Sequence, residues 1–176
     1  MNKRAILVAA FALAMNGAPA VAQSVAPPVN LLIDYPGFEK LVGEVGPLRE
    51  QRRLGWERFA AEARGKGAIL LDARSSADFE RGHIAGAVNL PFSEFTDARL
   101  AQVIGPDRNR PIYIYCNNNF SDNVAPIVTK RVQLALNIPT FINLVGYGYG
   151  NVWELAEVVS IRDPRIGWVS GIRQPG

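Results

Sequence analysis

The sequence predicts an α/β domain built on a mainly parallel sheet flanked by helices, and three observations carry that prediction. Ala68-Ile69-Leu70-Leu71 and Ile112-Tyr113-Ile114-Tyr115 are continuous apolar runs of strand length, the pattern of strands covered on both faces. Segments with helix-like spacing and capping residues stand between such runs. The runs end in polar or Gly/Pro-bearing segments, as strands of alternating α/β units do. Sites in such sheets form beyond the carboxyl ends of the strands. Asp72, Cys116 and Gly146 are all expected at that edge.

The elements follow in order. Lys3 and Arg4, the apolar stretch Ala5 to Met15 and the small residues of Ala20-Val21-Ala22 form a secretory leader over residues 1–22, with Gln23 as the mature start. The apolar stretch is short for a membrane span, and no cysteine follows it for lipid attachment. The expected location is therefore periplasmic or secreted. Removal leaves 154 residues, enough for one domain with a core, and lowers the formal net charge from +3 to +1. Without a basic run, neither a nucleic-acid partner nor a membrane surface is expected after cleavage.

Residues 23–54 read as an N-terminal extension packing on the domain, with an extended lead through Pro27-Pro28 and a short helix over Phe38 to Val45 after Pro36-Gly37. The domain itself spans 55–160 and a tail 161–176; Leu31, Leu32, Ile33, Ile166, Trp168 and Val169 are expected to pack on the domain or a partner. Within the domain, Trp56 to Ala63 is a weak amphipathic helix, and Ser75 to Glu80 a short one capped by Ser75 or Ser76. Ala85 to Leu90 reads as a strand, and Asp97 to Val103 as a helix capped by Thr96. Val124 to Leu136 is predicted as the best helix, Phe141 to Leu144 as the last strand and Val152 to Val159 as the last helix.

Cys116 is the one cysteine of the chain, where the Ile112 strand runs out into Asn117-Asn118-Asn119-Phe120-Ser121-Asp122-Asn123. A thiol there, facing a helix N-terminus, meets backbone N–H groups that favour its thiolate. A free cysteine can also serve as a small core hydrophobe, but a polar loop argues against burial for packing alone. One cysteine forms no internal disulfide, and one histidine with one cysteine is too small a soft-ligand set for a metal. No cofactor is expected.

Leu71-Asp72-Ala73-Arg74 and Phe79 to Pro91, with Gly82-His83-Ile84-Ala85-Gly86-Ala87, resemble the N-terminal signature of rhodanese domains. The strand ending in Cys116 is similar to their active-site strand, and Leu144-Val145-Gly146 through Trp153 to their C-terminal signature. The Asn-rich loop resembles that of an exported bacterial subgroup. The resemblance implies a rhodanese-like fold and a sulfurtransferase: Cys116 as nucleophile holding a persulfide, a small sulfur-containing donor, and a thiol or similar acceptor. It implies that Asn117, Asn118, Asn119, Phe120, Ser121 and Asp122 cradle the persulfide with backbone amides.

Many rhodanese loops read C-x-x-G-x-R, whereas here Asn119 and Ser121 occupy those positions. Asn118 or Asn119 can take the left-handed backbone in place of glycine. A loop without Lys or Arg favours a donor less charged than thiosulfate, and the missing arginine argues against phosphatase chemistry. Asp72 and Arg74 are candidates for substrate binding or for a structural ion pair, and Tyr147, in Gly146-Tyr147-Gly148-Tyr149-Gly150, for the pocket wall. His83 is expected to brace its loop. Two other readings stay open: a non-catalytic binding module with a protein partner, and a thiol redox sensor.

Overall fold

The computed structural model describes residues 29–170. The proposed leader (1–22), the stretch 23–28 and the end of the tail (171–176) lie outside the described residues. Residues 29–33 hold a short turn closed by a hydrogen bond from Ile33 N–H to the Asn30 carbonyl, with Leu31, Leu32 and Ile33 exposed.

From residue 34 onward the chain forms a five-stranded parallel sheet, ordered β1-β6-β5-β2-β4. Its strands are β1 (Arg53–Leu54), β2 (Ile69–Asp72), β4 (Val88–Asn89), β5 (Ile112–Tyr115) and β6 (Val152–Leu155). A two-stranded antiparallel pair, β3 (His83–Ile84) with β7 (Trp168–Val169), draws the start of the tail onto the domain. The helices are α1 (Tyr35–Gln51), α2 (Trp56–Ala63), α3 (Ser76–Arg81), α4 (Asp97–Val103) and α5 (Asn137–Gly146).

Side chains alternate across the pleated strands, so each strand feeds two cores. Ile69, Leu71, Ile112, Ile114 and Val152 face the core completed by Leu100, Phe141, Leu144 and Tyr149. Leu70, Tyr113, Tyr115 and Leu155 face the other, with Trp56, Phe59, Ile84 and Ile166. This two-sided burial is why the central strands read as continuous apolar runs.

Local chemistry fixes the helix starts. Asp34 caps α1 by accepting from Gly37 N–H at 2.9 Å, and Pro36 lies in the first turn, where its missing N–H costs nothing. The Pro36-Gly37 step therefore opens this helix and does not separate it from the preceding chain. Ser75 and Thr96 cap α3 and α4. The residues assigned to an extension contribute α1 and edge strand β1, which pairs with β6.

Four elements differ from the sequence reading, the first being Ala85 to Leu90, where Ala85-Gly86 is a turn and only Val88–Asn89 is strand. Val124 to Leu136 forms no α-helix; it is an irregular segment with one 3-10 turn at Val132–Leu134. Its β-branched residues are weak helix formers, and asparagine side chains take its backbone groups. Asn117 Nδ2 donates to the Val128 carbonyl at 2.9 Å, Asn118 Nδ2 to the Lys130 carbonyl at 2.8 Å, and Thr129 N–H donates to Asn123 Oδ1 at 2.9 Å. Phe141 to Leu144 lies inside α5, not in a strand, with Phe141, Ile142 and Leu144 buried. A four-residue apolar run cannot distinguish a buried strand from a buried helix. Val152 to Leu155 is strand β6 between β1 and β5, not the start of a helix.

Gly146 therefore ends a helix, and the Gly146–Gly150 stretch leads into β6 at the sheet's amino edge, away from the Cys116 edge. Gly148 there has φ +90°, a backbone that other residues adopt only with strain. No helix among the described residues is long and apolar enough to cross a membrane.

Candidate functional site

Cys116 follows the central strand β5 and is 1 % exposed, so the thiol is covered, contrary to the expectation from its polar loop. Residues Asn117–Asn119 after it form one 3-10 turn. The helix it meets is α5: backbone N–H groups of Asn137 and Leu136, together with that of Asn118, stabilise negative charge on the sulfur. Burial nevertheless outweighs them and pushes the thiol's pKa up, and the carboxylate of Glu154 adds to that rise. The shift runs against the thiolate expected at this position.

Asparagines hold this geometry. Asn119 Oδ1 accepts from the Cys116 N–H at 2.9 Å and from Asn137 Nδ2 at 2.9 Å, while Asn119 Nδ2 donates to the Leu155 carbonyl at 2.7 Å. Neither Asn118 nor Asn119 takes a left-handed backbone; the non-glycine residue that does, among those described, is Asn123 at φ 45°. Among the described residues, three buried side-chain polar atoms have no hydrogen-bond partner: Asn117 Oδ1, Asn137 Oδ1 and Thr140 Oγ1. All three lie on the turn after Cys116 or on the first turn of α5.

A cavity of about 240 Å³ opens at this edge, with Arg74, Ser75, Asp78, Asn117, Lys130 and Leu136 in its lining. Lys130 is the residue sequence reasoning missed. It lies outside the Asn117–Asn123 loop, and it arrives through a reciprocal pair of bonds with Asn118. The Asn118 Nδ2 donates to the Lys130 carbonyl, and the Lys130 N–H donates to Asn118 Oδ1 at 3.1 Å. Among the described residues no carboxylate lies within 4.0 Å of its ammonium. Only the asparagine-rich composition of the loop hinted at such backbone docking.

The other predicted residues divide. Arg74 lines the cavity, but its guanidinium is 1 % exposed and bound to Asp72 at 2.6 Å and to the Gly82 carbonyl at 2.7 Å. Asp72 is fully buried and also accepts from the Tyr115 hydroxyl at 2.7 Å, so it braces the structure and does not reach the cavity. Burial beside Asp72 pushes the Tyr115 phenol well above its ordinary pKa. Phe120 turns into the core between Tyr115 and Trp168. Asp122 binds the Ser160 hydroxyl at 3.0 Å and Ile161 N–H at 2.9 Å, and Ser121 N–H donates to the Val159 carbonyl at 2.9 Å. The second half of the loop is thus stapled to the chain after β6, and its side chains do not form the cavity.

Tyr147 does not line the cavity at the Cys116 edge; it lines a separate one of about 220 Å³ with Phe38, Leu41, Asn143 and Gly146. Its hydroxyl donates to the Phe95 carbonyl at 3.1 Å, and its own carbonyl accepts from Arg108. The Arg108 contact is at the sheet's amino end, where the chain enters β5, because the segment before Tyr147 is a helix. His83 stacks on Phe79 with centroids 3.8 Å apart, and its Nδ1 bonds the Phe79 carbonyl at 2.8 Å. Asn89 Nδ2 donates to the carbonyls of Asp72 and Arg74. A Cβ at Gly82 would meet the Trp168 indole at 2.6 Å. The motif around residues 72–91 is therefore a brace for the sheet edge beside Cys116.

A family model described as the rhodanese-like domain matches residues 56–157. The chain belongs to the rhodanese-like family. The uncharacterized protein YqhL of Bacillus subtilis is 38 % identical over 71 residues, 40 % of this rhodanese-like chain and 52 % of the relative. The HTH-type transcriptional regulator Rv0324 of Mycobacterium tuberculosis is 39 % identical over 51 residues, 29 % of this chain and 21 % of that protein. The chain thus spans about half of one curated relative and a fifth of the other. Among solved structures, the Rhodanese_3-like domain of Alr3790 from Anabaena sp. shares 22 % identity, covering 49 % of this chain and 79 % of that one, with a TM-score of 0.35. The BH2092 protein of Bacillus halodurans shares 16 %, covering 68 % and 75 %, with a TM-score of 0.41. The rhodanese-like fold agrees with the parallel sheet and flanking helices described above.

Proposed function

We propose that this rhodanese-like protein is an exported sulfurtransferase that carries sulfane sulfur as a persulfide on Cys116. The observation that carries the reading is the place of Cys116 at the end of central strand β5, directly before Asn117, which lines a cavity together with Lys130 and Leu136. The Cys116 thiolate attacks the outer sulfur of the donor. A bond forms from Sγ to that sulfur, the donor's S–S bond breaks, and sulfite (from thiosulfate) or a thiolate (from a persulfide) leaves with the electron pair. The thiol proton passes to solvent. An acceptor nucleophile then attacks the outer sulfur of the persulfide, breaks the S–S bond and regenerates the Cys116 thiolate. The N–H groups of Asn118, Leu136 and Asn137 support negative charge at each stage, as an oxyanion hole does.

The cation that the loop lacks is supplied by Lys130, so anionic donors are included in the substrate class. The partners are a small sulfur-containing donor and a thiol-type acceptor, and the leader read from the sequence of residues 1–22 supports an encounter in the periplasm or outside the cell. The burial of Cys116 favours a second reading, a rhodanese-like module that binds a partner without turnover. Steady-state thiocyanate formation from thiosulfate or glutathione persulfide with cyanide separates the two. Turnover by the wild type that is lost in Cys116→Ser supports sulfur transfer. Equal activity of the two proteins overturns it, and no turnover with either donor favours the binding module.

A further inference from the structure

Arg49 lies on α1, outside residues 56–157 of the family match, yet its guanidinium closes on the carboxylate of Glu154 with Nε and Nη2 each 2.6 Å from an oxygen. The Glu154 side chain is 5 % exposed. Glu154 is opposite Ile114 in the parallel register, and side chains two apart share a face, so Glu154 and Cys116 occupy the same side of the sheet. Asn137 Nδ2 links them, 3.4 Å from Glu154 Oε1 and 2.9 Å from Asn119 Oδ1, which in turn accepts from the Cys116 N–H. A continuous polar chain therefore runs from the N-terminal helix to the reactive residue.

We propose that Arg49 is a positioning residue for Cys116: it neutralises the buried carboxylate on the thiol's face and fixes Asn137 and Asn119, so that the thiolate forms at lower pH than it would beside an unpaired Glu154. The physical basis is that a like charge nearby disfavours ionisation and a bound counter-charge relieves it. Arg53 lies opposite Glu154 in the β1–β6 register and is bound to Glu50 at 3.0 Å. Glu50 is 3.5 Å from Arg49 Nη1 and exposed, Lys130 is reached through Asn118, and Asp72 with Arg74 lies on the opposite face. The first turn of α5, from Asn137 to Thr140, carries no titratable side chain.

The test is the pH dependence of iodoacetamide alkylation of Cys116 in the purified protein, read by intact mass, with circular dichroism to establish folding. Glu154→Gln is expected to lower the alkylation midpoint and Arg49→Met to raise it, each by about half a unit to one unit. The double variant is expected to return to the Glu154→Gln midpoint, and Arg49→Lys to stay near wild type. A brace without electrical effect would lower thermal stability and leave the midpoint in place. A folded Glu154→Gln with the wild-type midpoint overturns the proposal even where Arg49→Met does not fold. Because no sulfur donor is present, the result is independent of whether Cys116 transfers sulfur.

Discussion

Two buried ion pairs flank the central strand that ends in Cys116, and they differ in range. Asp72–Arg74 joins residues two apart, both side chains are at most 1 % exposed, and the remaining bonding capacity is taken by Tyr115 and the Gly82 carbonyl. Glu154–Arg49 joins residues 105 apart, leaves Arg49 21 % exposed, and passes through Asn137 and Asn119 to the Cys116 backbone. The first pair is a closed brace made within one turn of chain. The second is a connection between an N-terminal helix, a strand and the loop that follows Cys116. Similar chemistry therefore serves rigidity on one side of the strand and the thiol on the other.

Breaking each pair should separate these roles. The largest stability loss is expected for Arg74→Met, which strands a fully buried carboxylate at Asp72 and should cost about 3–5 kcal/mol in urea unfolding. Arg49→Met should cost less, about 1–3 kcal/mol, because solvent reaches part of that guanidinium. A greater loss at Arg49 than at Arg74 would reverse the comparison. Lys130→Met should leave stability within about 0.5 kcal/mol and slow sulfur loading from thiosulfate by about tenfold, with a smaller effect for a less charged donor. Stopped-flow or quenched mass measurements check the ratio. Tyr147→Phe, at the far end of the sheet, should cost about 1 kcal/mol through its lost bond to Phe95 and leave sulfur loading unchanged.

The pH dependence has a definite sign. Burial raises the Cys116 pKa in the folded state, so below the unfolded thiol's value of about 8.5 both states hold the proton and stability is unaffected. Above it the unfolded chain loses the proton first, and stability falls as pH rises toward the folded value. Unfolding midpoints for Cys116→Ser should show a shallower alkaline decline than wild type. The Tyr115 phenol, also raised by burial, adds a decline of the same sign at higher pH.

The sequence made the two-sided strands, the Ser75 and Thr96 caps and the position of Cys116 legible, because each rests on residues close in the chain. It also made the Asp72–Arg74 pair legible as an alternative to a substrate site, since the two are neighbours. Lys130, Arg49 and Glu154 were not legible as site residues, because pairings across 12 and 105 residues leave no periodic trace. The α5 error had a local cause: four apolar residues fit either a strand or a helix, and mistaking one for the other moved Tyr147 to the wrong end of the sheet. The loop Val124 to Leu136 was misread because its backbone is satisfied by Asn117, Asn118 and Asn123, side chains that precede it.

The most direct measurement is the intact mass of the protein after incubation with thiosulfate or glutathione persulfide, with Cys116→Ser alongside. The account predicts a gain of one sulfur atom on the wild type alone, reversed by cyanide or dithiothreitol. The same protein with its thiol open to alkylation, gaining no sulfur from any donor, would contradict it.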